Sequence, residues 1–227
     1  MSHHLTETTS STAAERERPS VTAPSAALAA LVAAPVLVLV ASLTQASPNA
    51  HDTASELASI AAAPGRYQVS GAIGWCAMVL YVPALIALAR PLWRSRRRLA
   101  GIGLGMSMTG LVALISLMGS GPVSLAMAQA PERAAMIRVV DAYESAPLTV
   151  VWMLVMVLGF SLGPVLLGFG LWRSGFPLAV PVLLLLGLIV QMLDAGRWPL
   201  ALGYALTAAG MTLVAVVTVR RRSLVQA

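Results

Sequence analysis

The side chains best suited to chemistry stand together near the end of one long apolar run. Asp194 is the one acid within or close to such a run, with Gln191 three residues before it on the same helical face and Arg197 three residues after it. Acids are costly inside a bilayer and usually carry a function there. These three residues are therefore the candidates for binding a ligand or an ion, or for relaying a proton.

The alternative for the same residues is a structural ion pair at a helix end. Asp194 lies 17 residues beyond Pro177, where the apolar run begins. At about 1.5 Å per residue, that distance is roughly 26 Å along a helix, which is close to the far interface of the bilayer. There an acid paired with Arg197 costs little. Depth therefore favours the ion pair over a ligand or proton site.

A second set of titratable residues lies between apolar runs, outside the predicted spans. Its members are His51, Asp52, Glu56, Glu132, Asp141 and Glu144. A pair of such carboxyls could perform acid–base chemistry on a lipid headgroup. However, no catalytic spacing links them, and surface helices need charged faces in any case. The sequence therefore predicts a protein that is not an enzyme.

Motifs for nucleotides, nucleophiles and metals are absent from the sequence. Gly101-Ile-Gly-Leu-Gly105 lacks the third glycine of a dinucleotide fingerprint and is read as small residues that let helices pack closely. Gly119-Ser-Gly121 lacks the spacing of a serine nucleophile. The single cysteine, Cys76, excludes an internal disulfide and a cysteine cluster. We expect no cofactor and no metal.

Composition indicates a membrane-integral helical protein. Of 227 residues, 58% are hydrophobic and 11% are charged, whereas soluble domains are about half apolar and about a quarter charged. Several apolar runs are long enough to cross a hydrocarbon core of ~30 Å. All 15 basic residues are arginine, which with the abundant Ala, Gly, Val and Pro is typical of high-GC bacteria. We assign the basic charge to membrane topology and predict no nucleic-acid partner.

The predicted fold is an all-α bundle of six membrane spans with both termini in the cytoplasm. A disordered polar tail (1–25) precedes the bundle, and a short tail (223–227) follows it. The first run is longer than the core of a signal peptide, so we predict that it is retained rather than cleaved. The predicted spans are residues 26–46, 71–90, 100–121, 148–172, 177–196 and 200–219.

Two short helices are predicted on the outer membrane surface, one in each long outer loop. Thr53-Ala-Ser-Glu56 has the spacing of a capping box, and Leu57 and Ile60 follow on one face. The second helix begins near Pro131 and has a similar apolar side.

Arginine asymmetry sets the orientation of the spans. With both termini inside, eleven arginines face the cytoplasm and four face outward, as the positive-inside rule requires. Arg16 and Arg18 lie in the tail, and the other inner arginines are the predicted topology anchors Arg90, Arg94, Arg96, Arg97, Arg98, Arg173, Arg220, Arg221 and Arg222.

A short internal sequence repeat, called here the 79-residue echo, accompanies this layout. Leu92-Trp-Arg-Ser95 recurs 79 residues later as Leu171-Trp-Arg-Ser174. The same shift places the first span and its surface helix over the third span and its surface helix. Two readings stay open: a parallel duplication of the kind that transporters use, or two Trp-Arg pairs that topology alone placed at an inner membrane edge.

The chain resembles small six-span integral membrane proteins of high-GC bacteria. The residues that carry the resemblance are Ala63-Pro-Gly-Arg-Tyr67, the Leu-Trp-Arg end of the fourth span and the arginines after the sixth. The resemblance implies the layout and brings no catalytic residues with it.

The expected function is non-enzymatic: an accessory protein for other membrane components, or a protein that binds a hydrophobic ligand, in the plasma membrane. The expected partners are the lipid bilayer and either another membrane protein or a second copy of this chain. The alternatives are a small secondary transporter that uses a polar site around Asp194 and an outer-face enzyme that modifies lipids.

Overall fold

The structure is a computed structural model and describes residues 25–45, 52–193 and 197–226; within those ranges it holds helices and no strand. One π-helical segment, Val157–Ser161, interrupts the fourth predicted span. The α-helices are α1 (Ser25–Thr44), α2 (Thr53–Ala62), α3 (Pro64–Ala89), α4 (Leu92–Ser95), α5 (Arg97–Met118), α6 (Gly121–Gln129), α7 (Arg133–Glu144), α8 (Pro147–Met156), α9 (Leu162–Trp172), α10 (Ala179–Met192) and α11 (Arg197–Gln226).

The described residues confirm the predicted all-α class, and five helical stretches are long and apolar enough to cross a membrane, as expected of a membrane protein. They are Ser25–Thr44, Pro64–Ala89, Arg97–Gln129, Pro147–Trp172 and Trp198–Leu224. The predicted span 177–196 contains only the 14 residues of α10, about 21 Å of helix against a core of ~30 Å. A sixth crossing therefore stays a prediction.

Several predicted boundaries differ from the observed ones. α3 begins at Pro64 rather than at residue 71, because a proline fits the first turn of a helix. α11 continues to Gln226, so the predicted tail 223–227 is helical in its described part. The predicted tail 1–25 lies outside the described residues except for Ser25.

The cap of α2 lies one residue earlier than predicted. The carboxylate of Asp52 accepts a hydrogen bond from the Ser55 amide (2.6 Å). In return, the Asp52 amide donates to the Ser55 hydroxyl (3.4 Å). Asp52, not Thr53, is thus the capping residue, and Ser55 takes the place predicted for Glu56. An aspartate is at least as good a cap as a threonine, and this choice frees the Thr53 hydroxyl for another contact.

The main core joins three helix pairs. α1 packs on α3, α5 packs on the stretch from α8 to α9, and α10 packs on α11. Leu31, Leu85, Leu111 and Leu167 are almost completely buried in this core.

Close approach between α5 and the π segment depends on glycine. A Cβ on Gly159 would lie 2.6 Å from the carbonyl oxygen of Met106 and 2.7 Å from the amide of Gly110, too close for any side chain. In the predicted packing run 101–105, only Gly103 meets a neighbouring helix. Gly101 and Gly105 face open space, so that prediction is correct for one glycine of three.

A second, smaller cluster joins α2 to α6 and α7. Leu57 and Ile60 of α2 are buried together with Ala128 of α6, and Met136 and Ile137 of α7 pack against them. The apolar face of α2 was predicted to rest on lipid. It is covered instead by α6, a helix that the sequence analysis did not predict.

Both ends of the bundle are fixed by contacts between distant residues. At one end the hydroxyls of Ser95 and Ser174 lie 3.2 Å apart, and Arg221 donates to the carbonyl of Gly175 and lies over the ring of Phe176. All nine predicted topology anchors belong to the segments 90–98, 173–176 and 220–222, which meet at this end.

The opposite end carries α2 and α7. There Thr53 of α2 donates to Asp141 of α7, and Arg66 at the start of α3 donates to the carbonyl of Thr44, the last residue of α1 (2.9 Å).

Candidate functional site: a polar cavity inside the bundle

A small cavity lies inside the bundle, between α3, the π segment, α9, α10 and α11. It has a volume of about 30 Å³, enough for one or two water molecules. Five of its lining residues carry polar side chains: Tyr81, Ser161, Gln191, Tyr204 and Thr207. The other lining residues are apolar: Phe160, Pro164, Val165, Leu184, Leu188 and Met211.

The interrupted helix forms one wall of the cavity. Phe160 and Ser161 belong to the π segment, and Pro164 follows in the first turn of α9. Pro164 has no N–H, so the α-helical bond that residue 164 would donate to the carbonyl of Phe160 is missing. π-helical segments widen a helix locally and are frequent at functional sites. This wall is therefore the irregular side of the cavity.

A glycine crossing positions the polar groups of α10 and α11. A Cβ on Gly187 would lie 2.8 Å from the carbonyl oxygen of Gly203, so the two backbones touch. Beside this crossing Gln191 donates from Nε2 to Oγ1 of Thr207 (3.2 Å). The Thr207 hydroxyl in turn donates to the carbonyl of Gly203 (3.0 Å). The amide oxygen of Gln191 is bonded to none of the described residues.

Tyr81 is the most deeply buried polar residue at the cavity. It is 2% exposed, and its ring packs edge-on against Phe160, with centroids 5.0 Å apart and planes at 67°. Within the described ranges, no hydrogen-bond partner meets the Tyr81 hydroxyl, and the hydroxyls of Ser161 and Tyr204 likewise find none. Buried hydroxyls nearly always have a partner, so water or a bound group must supply one here.

The cavity offers hydrogen bonds without charge. Its polar groups are four hydroxyls and one amide. All of them can both donate and accept hydrogen bonds. A charged ligand group would enter this space without a counter-charge from the described residues, which is costly in an apolar interior. The arrangement therefore suits a neutral carbonyl, hydroxyl or amide.

Of the three predicted site residues, the structure places one on the cavity. Gln191 lines it, whereas Asp194 lies outside the described residues. Arg197 begins α11, and only its backbone is described. The sequence analysis missed Tyr81, Ser161, Tyr204 and Thr207. The available signal was the spacing of Tyr204 and Thr207, two polar residues three apart within an apolar run.

The outer acids converge at the other end of the molecule. A cleft of about 620 Å³ is bordered by Asp52, Thr53, Ala54, Glu56, Ile137, Asp141 and Glu144. Thr53 Oγ1 donates to Asp141 Oδ1 at 2.5 Å and ties α2 to α7. Burial, and secondarily the charge of Glu144, raises the pKa of Glu56.

Two predicted members of this titratable set remain, Glu132 and His51. Glu132 does not border the cleft, and His51 lies outside the described residues. No group of three metal-binding side chains occurs in the described ranges.

Comparisons with models of protein families, with curated proteins and with solved structures gave no significant match. The resemblance to small six-span bacterial membrane proteins therefore stays a prediction. What this chain does is inferred from the cavity and from the charged surfaces.

Proposed function

We propose that this chain is a non-enzymatic membrane protein that binds a hydrophobic ligand and holds one neutral polar group of that ligand in the interior cavity. The observation that carries the proposal is Tyr81: a tyrosine 2% exposed, at a cavity, whose hydroxyl has no partner among the described residues. A ligand with an apolar body reaches such a site from the bilayer. The chain acts alone, together with a second copy of itself, or as an accessory to another membrane protein.

The proposal includes six crossings, with both termini on the cytoplasmic side of a bacterial plasma membrane. Its support is the contact between Arg221, near the end of α11, and Gly175, just before α10. α11 is long enough to cross, and its last turns lie beside the segment that precedes α10. This arrangement supports a crossing by α10 in the opposite direction. Residues 177–178 and Leu193 flank its 14 helical residues and lengthen the described segment.

The test exchanges the Tyr81 hydroxyl for hydrogen. The full chain is purified in detergent and its melting temperature is measured with long-chain alkyl compounds that share one tail and differ in head group: ketone, alcohol, carboxylate and quaternary ammonium. We expect the ketone and the alcohol to raise the melting temperature of the wild type by several degrees. Tyr81→Phe should lose most of that rise, because the hydrogen bond to the head group is gone.

Tyr143→Phe is the matched control, since Tyr143 is an exposed tyrosine on α7, away from the cavity. It should respond to the four compounds as the wild type does. Equal stabilisation by all four heads, or a full response from Tyr81→Phe, contradicts the proposal.

A second candidate function is an outer-face enzyme that modifies lipid headgroups. The observation in its favour is the cleft, where the carboxyls of Glu56, Asp141 and Glu144 border one space. A carboxyl with a raised pKa, such as that of Glu56, beside a second carboxyl is an arrangement that general acid–base catalysis uses. This candidate requires the headgroup composition of reconstituted vesicles to change with time, whereas a binding protein leaves it constant.

A third candidate is a secondary transporter with Gln191 and Asp194 in its path. The π segment favours it, because an interrupted helix beside a polar cavity is a feature of transporters. Alternating access would expose Ser161 to water from each side in turn. A cysteine introduced at that position would then react with a water-soluble thiol reagent, which a closed binding protein would prevent.

A further inference from the structure

The two Leu-Trp-Arg-Ser segments form one continuous surface at the arginine-rich end of the bundle. The hydroxyls of Ser95 and Ser174 are 3.2 Å apart although 79 residues separate them. Leu92 and Leu171 are fully buried beneath them. Trp93 and Trp172 are each 41% exposed. Both copies of the motif therefore bury their leucine, pair their serine and leave their tryptophan outside.

Arg94 and Arg173 flank the paired serines. Each is exposed and precedes its serine by one residue, which puts its Cα atom ~3.8 Å from that of the serine. Two guanidinium groups thus start within a side-chain length of the same two hydroxyls. The Ser174 hydroxyl donates to the carbonyl of Gly170 (3.0 Å), so the Ser95 hydroxyl is the one that can turn towards a ligand. Guanidinium groups on either side of a hydroxyl match a phosphate, which accepts several hydrogen bonds at once.

The neighbouring charges also favour an anion. Arg96, Arg97 and Arg98 are exposed at the start of α5, where the cap lacks a side-chain hydrogen bond and no acid stands in the first turn. The N-terminus of a helix carries partial positive charge, which these three cations increase. They also repel one another, so an anion bound there would relieve the repulsion. The acidic residues in the described ranges lie at the opposite end of the bundle. None of them therefore neutralises the charge of these arginines.

Arg221 shows what an arginine at this end does when the fold uses it. Its guanidinium donates to the carbonyl of Gly175 and covers the Phe176 ring at 4.3 Å from the centroid. Within the described ranges, Arg94 and Arg173 make no such contact. Both are therefore available for a ligand, as are the exposed arginines at the start of α5.

We propose that the surface formed by Trp93-Arg-Ser95 and Trp172-Arg-Ser174 binds the headgroup phosphate of an anionic phospholipid. The tryptophans place the surface at the interface level, since indole rings sit where hydrocarbon meets headgroups. The arginines and serines then meet the phosphate rather than the acyl chains. Clustered arginines next to membrane spans attract anionic lipids in general, and the paired turns concentrate that attraction at one place.

The test changes arginine to lysine, which keeps the charge and the topology signal but removes the planar fork. The full chain in detergent, at low ionic strength, is titrated with phosphatidylglycerol or with phosphatidylcholine of the same acyl chains. We expect phosphatidylglycerol to raise the wild-type melting temperature by several degrees more than phosphatidylcholine does. Arg94→Lys/Arg173→Lys should lose more than half of that difference.

Arg220→Lys/Arg222→Lys is the matched control, with two equal changes at the same end on residues outside the two paired motifs, and it should keep the wild-type response. Ser95→Ala/Ser174→Ala retains every charge and should also weaken the response, which gives a second readout if the arginine variant folds poorly. Equal stabilisation by the two lipids, or an equal loss in the control, overturns the proposal. The same shift with inorganic phosphate alone overturns the assignment to lipid.

Discussion

Glu56 on α2 illustrates how the surroundings of one side chain set its protonation. Burial in the cleft, and then the charge of Glu144, raises its pKa above the ordinary value of 4.5. The folded protein therefore holds this proton more tightly than the unfolded chain does. The contribution of Glu56 to the free energy of unfolding is greatest below pH 4.5 and falls as the pH rises through the raised pKa.

Replacing Glu56 with glutamine should therefore stabilise the protein at neutral pH. Glu56→Gln removes the buried charge and its repulsion from Glu144 while keeping the shape of the side chain. We expect the melting temperature in detergent to rise by about 2 °C at pH 7, and the gain to disappear below pH 4.5. Glu132→Gln, outside the cleft, should change nothing. A gain of equal size at both pH values contradicts this explanation.

The sequence pointed to part of the cavity and missed the rest for a physical reason. Gln191 stood out because it lies one turn before Asp194 on the same helical face. Thr207 did not, since threonine hydroxyls in membrane helices commonly bond their own backbone, as Thr207 does with Gly203. Tyr81 and Tyr204 did not, because a tyrosine ring is largely apolar and fits an apolar run. Only helix packing decides which hydroxyls face a shared space, and packing at Gly187 is not visible in hydropathy.

At the scale of elements, the crossing of α5 over the π segment is the tightest contact between helices. Gly110 and Gly159 face each other there with no room for a methyl group on either. Because the crossing adjoins Phe160, it also fixes the wall of the cavity. The spacing of the two helices thus controls both packing and the site.

Gly159→Ala should destabilise the protein by about 1–3 kcal/mol, since the new methyl group must displace backbone atoms. Gly105→Ala is the matched control: Gly105 is also a helical glycine in a membrane span, but open space surrounds it. There alanine should be neutral or stabilise by up to ~1 kcal/mol. Apparent melting temperatures of the two purified variants provide the measurement, and equal effects would show that the crossing is not tight.

Helices were predictable where hydropathy is continuous and not where it is broken. The long apolar stretches appear at nearly the predicted places because ~20 apolar residues leave few alternatives to a span. α6 was missed because the residues after the third predicted span were assigned to an outer loop, although Pro122 in the first turn is compatible with a helix. Once α6 is present, it supplies the apolar surface that buries α2.

At the scale of the whole molecule, nine of the described arginines gather at one end. The segments 90–98, 173–176 and 220–222 meet through Ser95 with Ser174 and Arg221 with Gly175. The sequence could predict this gathering from charge counts alone. It could not predict that the two halves of the 79-residue echo touch, because contact between distant turns depends on how the spans are arranged.

Labelling of single cysteines in intact cells tests the orientation and the sixth crossing together. Cys76 is first replaced by serine, and a cysteine is then placed at Ser145, Ser174 or Ser223. With six crossings and both termini inside, a membrane-impermeant maleimide should label the cysteine at 145 only. Labelling at 223 but not at 174 would show that α10 does not cross. Labelling at 174 and 223, with none at 145, would reverse the orientation.

A crossing by α10 would also reshape the bilayer around it. Its helical length is about 21 Å, and Val182, Leu186 and Ile189 are exposed along it. The bilayer beside this face would have to become thinner to match the helix, at a cost of fractions of a kcal/mol per Å of mismatch. The protein would then carry its own thin patch of membrane, favour short-chain lipids as neighbours and lower the local barrier to headgroups that pass between leaflets.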